Sequence, residues 1–186
     1  MKRNDYLALL RGINAGGKNS IQMNELRILF EKLNFMDIKT YIQSGNVIFK
    51  GYENEKKELR EKIEKSLFNK MQNEILVAIL TLSDIGKILN DIPYGFDDKN
   101  KKYKHDIIFL IEPLTIKEVM KEIKTTEGDD KIYKGEKVFY VKRVSKKLTG
   151  SYISKIANKF QNITIRNLNT TRKLYELMLE RDGKIK

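Results

Sequence analysis

The stretch Thr40-Tyr41-Ile42-Gln43-Ser44-Gly45-Asn46-Val47-Ile48-Phe49 decides the fold. Ser44-Gly45-Asn46 is turn chemistry, because glycine and asparagine tolerate the positive φ that a tight reversal demands. The residues on either side make Ile38–Ile42 one strand and Val47–Phe49 its return, a hairpin. Helical patterns bracket it. Upstream, Leu26, Leu29, Phe30 and Leu33 share one face of a helix that begins near Met23. Downstream, Leu59, Ile63, Leu67 and Met71 form the stripe of a charged helix over Glu55–Met71. Two outer apolar runs complete the unit: Tyr6–Leu10, ended by Arg11-Gly12, and Glu74–Leu80. The order is βαββαβ.

The same order then returns. A helical segment, Ser83–Asn90, leads to the turn Pro93-Tyr94-Gly95 and a polar, charged stretch, Phe96–Lys104, with the composition of a linker. His105–Ile111 reads as a strand. Thr115 opens a helix as a capping box with Glu118, and Ile116, Val119, Met120 and Ile123 form its stripe. Lys131–Lys134 and Val138–Lys142 flank the hairpin turn Gly135-Glu136. Ile153, Ile156, Ala157 and Phe160 mark a helix, and Ile163–Arg166 a strand. A last helix, Leu168–Glu180, has no counterpart in the first unit. The predicted fold class is therefore α+β: two tandem ferredoxin-like βαββαβ subdomains with mainly antiparallel sheets and an extra C-terminal helix. The expected divisions are 1–82 for the first half, 83–104 for the helical segment and linker, and 105–186 for the second half with its C-terminal helix.

Three segments carry a family resemblance. They are Leu9-Leu10-Arg11-Gly12-Ile13-Asn14-Ala15-Gly16-Gly17-Lys18-Asn19, then Thr40 to Val47, then Ile165-Arg166-Asn167-Leu168-Asn169-Thr170-Thr171-Arg172-Lys173-Leu174. In that order and spacing the chain resembles the bacterial domain-of-unknown-function family numbered 1697. The third segment departs from the family pattern, with Ile165 where a threonine usually precedes the arginine. The resemblance implies a pair of ferredoxin-like subdomains and no established activity.

Composition narrows the chemistry. The 186 residues include no cysteine and a single histidine, His105. That removes disulfides, thiolate metal sites, cysteine nucleophiles and histidine dyads, and it fits a reducing compartment. No cofactor or metal is expected. The apolar run after Lys2-Arg3 is too short for a signal peptide, which needs roughly 7–15 apolar residues, and no stretch approaches the roughly 20 of a membrane span. A cytoplasmic location and no membrane partner are expected. The net charge of +12 has a sharp reading, an anionic nucleic-acid partner, and a stronger plain one, the lysine bias of a genome that also favours Asn and Ile. The charge is spread along the chain, mostly as lysine, as on solvated helix faces.

Gly12 to Asn19 reads Gly-x-x-x-x-Gly-Lys-Asn, one residue from a phosphate-binding P-loop. Asn19 stands where the magnesium-ligating hydroxyl belongs, and Ser20 is one position late. The antiparallel order also lacks the strand-to-helix context of a nucleotide triphosphatase. The milder reading is an anion nest of backbone N–H groups, with Arg11 and Lys18 adding charge; the structural alternative is a turn whose glycines supply positive φ. In a ferredoxin-like sheet strands one and two run the same way, which carries Gln43, Ser44 and Asn46 towards Asn14–Asn19. The candidate anion site is thus Arg11, Gly12, Asn14, Gly16, Gly17, Lys18, Asn19, Gln43, Ser44 and Asn46.

A second candidate basic site is Arg166, Asn167, Thr170, Arg172 and Lys173. Asn167 is a natural N-cap, and cations in a first helical turn oppose the macrodipole unless an anion is near; a capped helix with solvated cations is the plainer account. Lys142-Arg143 and Lys146-Lys147 read as a basic, solvated segment between a strand and a helix. His105 opens a strand as a structural residue. Asp97-Asp98 and Asp129-Asp130 sit in turn-like stretches and form no acid–base pair. No glycine–aromatic signature of an RNA-stacking sheet is present.

The sequence therefore points to a non-catalytic binding protein for an anionic ligand, a phosphate-bearing small molecule or a nucleic acid, near Gly12–Asn19. The alternatives are an enzyme acting on a phosphorylated or nucleotide-like substrate, with Arg11, Lys18 and Gln43 as electrostatic groups, and a homodimeric interaction module. The oligomeric state, monomer or homodimer, is left open.

Overall fold

A computed structural model describes residues 3–14, 19–52, 55–96, 101–124, 126–127, 130–145 and 152–183. The chain divides into two compact units, Met1–Ile85 with Leu174–Lys186, and Gly86–Lys173. Each is built on one antiparallel sheet.

In the first unit, β1 (Asn4–Leu10), β2 (Met36–Tyr41), β3 (Asn46–Gly51) and β4 (Val77–Thr81) take the order β2-β3-β1-β4, with α1 (Met23–Lys32) and α2 (Lys56–Met71) as the two crossovers. All pairings are antiparallel: Leu7 opposes Ile48 on one side and Leu80 on the other. This is the ferredoxin-like βαββαβ arrangement. The helical stripes do what their spacing predicts. Leu26, Leu29 and Phe30 of α1, and Leu59, Ile63 and Leu67 of α2, are buried against Tyr6, Ala8, Leu10, Val47, Phe49, Val77 and Ile79. Phe30, Phe35, Phe49 and Tyr6 form an aromatic chain within that core, with Phe35 and Phe49 centroids 4.5 Å apart. Because strand residues alternate faces, Leu7, Leu9 and Ile48 point the other way, and they too are fully buried.

The edge strand β2 departs from its expected bounds. It starts at Met36, and the register shifts between Met36 and Lys39, where Asp37 takes φ +49. Ile42, expected as its last residue, lies in the turn with φ +48 and is half exposed. A bulge of this kind blunts a sheet edge against further pairing. Arg181 fastens this corner: its Nε donates to Asp5 Oδ1 at 2.8 Å, and a second guanidinium nitrogen donates to the Asp37 carbonyl oxygen.

α3 (Leu82–Asn90) follows β4 directly. The second unit holds β5 (Tyr103–Leu110), α4 (Ile116–Glu122), β6 (Thr126–Glu127), β7 (Asp130–Lys134), β8 (Val138–Val144), α5 (Tyr152–Lys159) and β9 (Ile163–Asn167), and α6 (Leu168–Arg181) follows β9. Its sheet order is β6-β7-β8-β5-β9. Without the two-residue edge strand β6, which the sequence did not announce, this repeats the order of the first sheet. The Thr115–Glu118 capping box is present. Val119, Ile153 and Ile156 pack on Ile108, Ile132, Phe139, Val141 and Ile163.

The face of this sheet turned from α4 and α5 is also closed. Ile107, Phe109, Val138, Tyr140, Thr164 and Arg166 lie on it, and all are buried. The Tyr140 hydroxyl donates to the Ile88 carbonyl oxygen at 2.6 Å, and burial pushes its phenol up to about 12. Phe96, at the head of the polar connecting stretch, is fully buried edge-on to His105 and Tyr140. Among the described residues, neither sheet presents an open aromatic face of the kind that stacks RNA bases.

Candidate functional site

β1 and β2 both run antiparallel to β3. The chain therefore leaves β1 at the same end where the β2–β3 hairpin turns. The backbone joins the two: Leu10 N–H donates to Gly45 O at 2.8 Å. Gly45 takes φ +67, and a Cβ there would lie 2.8 Å from the Leu10 Cβ and 3.0 Å from the Ile13 Cβ. Close approach and left-handed backbone both require glycine at this position. Asn46, fully buried, holds the hairpin's shape, its Nδ2 donating to Tyr41 O at 3.0 Å and Ser44 Oγ at 2.9 Å.

Asn14 is the centre of the arrangement. It sits at φ +55, a conformation asparagine tolerates better than most residues. Its Nδ2 donates to Ile21 O at 3.0 Å and to Gln43 O at 2.9 Å, and its Oδ1 accepts from Ile21 N–H at 2.9 Å. Its own N–H donates to Asn19 O at 2.9 Å. One residue closes the β1–α1 loop at its base and fastens that loop to the hairpin. Gly12, at φ +66, is exposed, as is Gln43; Arg11, Ser44 and Asn19 are half-buried. Gly16, Gly17 and Lys18 lie outside the described residues.

A third segment joins them. β4 runs antiparallel to β1, so the α2–β4 connection reaches the same end. Arg11 N–H donates to Leu76 O at 2.9 Å, and Asn73 Nδ2 donates to Asn19 Oδ1 at 2.6 Å. Asn73 is held in turn by Glu74 N–H on its Oδ1 at 3.0 Å. Gln72, the C-cap of α2, takes φ +52. The sequence reading missed Asn73. The signal was topological: strand four must begin where strand one ends.

The second candidate site is differently placed. Asn167 caps α6, its Oδ1 accepting from Thr170 N–H at 2.7 Å, and Thr170 is buried. Arg166 is buried on β9, donating to Thr164 Oγ1 at 2.9 Å and Ile165 O at 2.8 Å. Burial pulls its guanidinium down to about 10. α6 begins at Leu168, the predicted start, and counting from there puts Arg172 and Lys173 in its second turn rather than its first. The five residues do not converge on one exposed surface: Arg166 is interior and Arg172 exposed.

The basic segment needs a correction. Lys142 and Arg143 are not in a linker, because β8 continues to Val144. Arg143 Nε pairs with Asp106 Oδ2 at 2.6 Å, with both side chains largely buried. Lys142 Nζ lies 4.6 Å from the Tyr103 ring centroid. Asp130 is buried and accepts from Val144 N–H at 3.0 Å, so it is a structural residue. Lys146, Lys147, Asp97, Asp98 and Asp129 lie outside the described residues. Among the described residues no group of three or more histidine, aspartate and glutamate side chains gathers at metal-binding geometry, and no helix is long and apolar enough to cross a membrane.

The family model "Protein of unknown function (DUF1697)" matches residues 3–140. The chain belongs to the DUF1697 family. That match takes in all three segments that meet after β1 and stops short of Arg166–Lys173. A conserved bacterial protein of Streptococcus pneumoniae is similar in structure to this DUF1697 chain, with a TM-score of 0.76 and 25% identity, over 95% of this chain and 99% of the other. No curated protein matches the chain.

Proposed function

We propose that this DUF1697 chain is a binding protein without catalytic activity, and that its ligand is anionic, either a phosphate-bearing small molecule or a nucleic-acid backbone, held at the Gly12–Asn19 loop. The observation that carries the reading is the Asn14 side chain, which binds Ile21 and Gln43 together and so fixes the loop against the hairpin. Core packing already anchors Ile13 and Ile21 on either side of the loop; the Asn14 amide adds to it by tying the polar backbone of Ile21 to that of Gln43. Fixation serves recognition, because groups held in place beforehand, as Asn14 and Gln43 are, lose less freedom when a ligand arrives. Arg11 supplies positive charge at the site, and loops on a rigid scaffold are where binding residues concentrate.

Calorimetric titration with inorganic phosphate and sulfate tests it. The wild-type chain is expected to bind either anion at millimolar concentration, and Arg11→Gln to lose that binding while still folding. Absence of binding by the wild-type chain at low ionic strength sinks the proposal.

A further inference from the structure

The three segments that meet after β1 are rich in hydrogen-bond donors and poor in charge. Their charged residues among the described positions are Arg11 and Glu74, and the loop sequence adds only Lys18. The remaining polar side chains are amides and two hydroxyls, Ser20 and Ser44. Several are held in fixed orientation by the bonds already described. Asn73 is fastened at both ends of its amide, by Glu74 N–H and by Asn19 Oδ1. With its Oδ1 accepting from Asn73, Asn19 turns its NH2 group towards Gly12, 3.7 Å from where a Cβ on that glycine would sit. Gln43 gives its backbone oxygen to Asn14 and exposes its side chain at the same end.

Ligand chemistry follows from that inventory. A nucleic-acid backbone is gripped by several lysines and arginines, each displacing a counterion. A net charge near that of one cation suits a single phosphate instead. Oriented amide donors suit neutral oxygens, because an amide offers hydrogen bonds without the desolvation cost of a second charge. We infer that the ligand of this site is a small phosphomonoester bearing hydroxyl groups, its phosphate near Arg11 and its hydroxyls reaching the Asn19–Asn73 pair. This rests on the reading of the Gly12–Asn19 loop as an anion site and selects one of the two ligand classes left open there.

Titration of the full chain with inorganic phosphate, ribose 5-phosphate and a ten-residue oligothymidylate tests the inference. Ribose 5-phosphate is expected to bind on the order of tenfold tighter than inorganic phosphate, the effect of one or two added hydrogen bonds. Asn73→Ala should erase that difference, ribose 5-phosphate then binding no more tightly than inorganic phosphate; a tenfold difference retained in Asn73→Ala overturns the assignment of the hydroxyls to the Asn19–Asn73 pair. Equal affinity for phosphate and ribose 5-phosphate overturns the inference while the anion site stands. Tighter, steeply salt-dependent binding of the oligothymidylate also overturns it and leaves the nucleic-acid form of the site. If none of the three binds, the anion site itself falls, and the inference with it.

Discussion

Asn14 and Gln43 are far apart in sequence, yet the Asn14 amide donates to the Gln43 carbonyl oxygen at 2.9 Å. That bond links the loop leaving β1 to the hairpin between β2 and β3. The same amide group also binds both polar groups of the Ile21 peptide positions that close the loop.

Replacing Asn14 therefore has two separable costs. Asn14→Gly keeps the positive φ and loses the side-chain bonds, for about 2 kcal/mol at a half-buried position. Asn14→Ala adds about 1 kcal/mol more, because alanine resists the left-handed region. Urea unfolding of the two variants measures both. Equal stability of the two would show that the backbone at Asn14 is not strained for alanine.

Gly45→Ala forces a methyl group to 2.8 Å from the Leu10 Cβ at φ +67. Overpacking and backbone strain together should cost on the order of 3 kcal/mol. Denaturation midpoints check this. A variant within 0.5 kcal/mol of wild type, about the scatter of surface substitutions, would mean that the hairpin does not press on the β1 loop.

Asp84 predicts an acid-sensitive term in stability. Burial alone would raise its carboxyl, but the Lys56 ammonium at 2.7 Å and the Thr81 N–H and hydroxyl, each at 2.7 Å, outweigh it and hold the group below the ordinary carboxylate value. A group depressed in the folded state stabilises above its unfolded value, about 3.9 for aspartate, and that stabilisation fades as pH falls through the folded value. Asp84→Asn should therefore be less stable than wild type at neutral pH and converge towards it in acid. Glu64 runs the other way: burial raises its carboxyl even though it accepts from Val77 N–H. Its contribution is present in acid and lost as pH rises, so Glu64→Gln should flatten that part of the profile. Thermal unfolding across pH 2–7 reads both.

The Arg143–Asp106 pair is largely buried, with side-chain exposures of 12% and 7%. Asp106→Asn strands a guanidinium and should cost about 3–5 kcal/mol. Pairing it with Arg143→Met should recover most of that loss, because removing both charges also removes the desolvation cost. A double variant no better than the single one would contradict a direct pair.

Much of the fold was legible because it depends on local rules. The Ser44-Gly45-Asn46 turn, the α2 stripe at Leu59, Ile63 and Leu67, and the Thr115–Glu118 cap all declare themselves over a few residues. What escaped depends on partners remote in sequence. Arg143 reads as a solvated cation until β5 brings Asp106 beside it. Arg166 reads as a surface charge until Ile107 and Tyr140 share its buried sheet face. The bulge at Asp37 leaves no local signature, and Ile42, a good strand residue by type, is carried into the turn by the register that follows. At the site, topology alone placed Gln43–Asn46 near Asn14. The same argument applied to β4 reaches Asn73, whose bond to Asn19 no spacing in the sequence reveals.

The most direct test of the anion site is a phosphate titration followed by amide proton–nitrogen correlation spectra of the full chain. The account predicts that the amides of Gly12, Asn14, Asn19, Gln43 and Gly45 shift together along one saturable curve. Amides of these residues that stay fixed while phosphate moves signals elsewhere, or moves none, would contradict it.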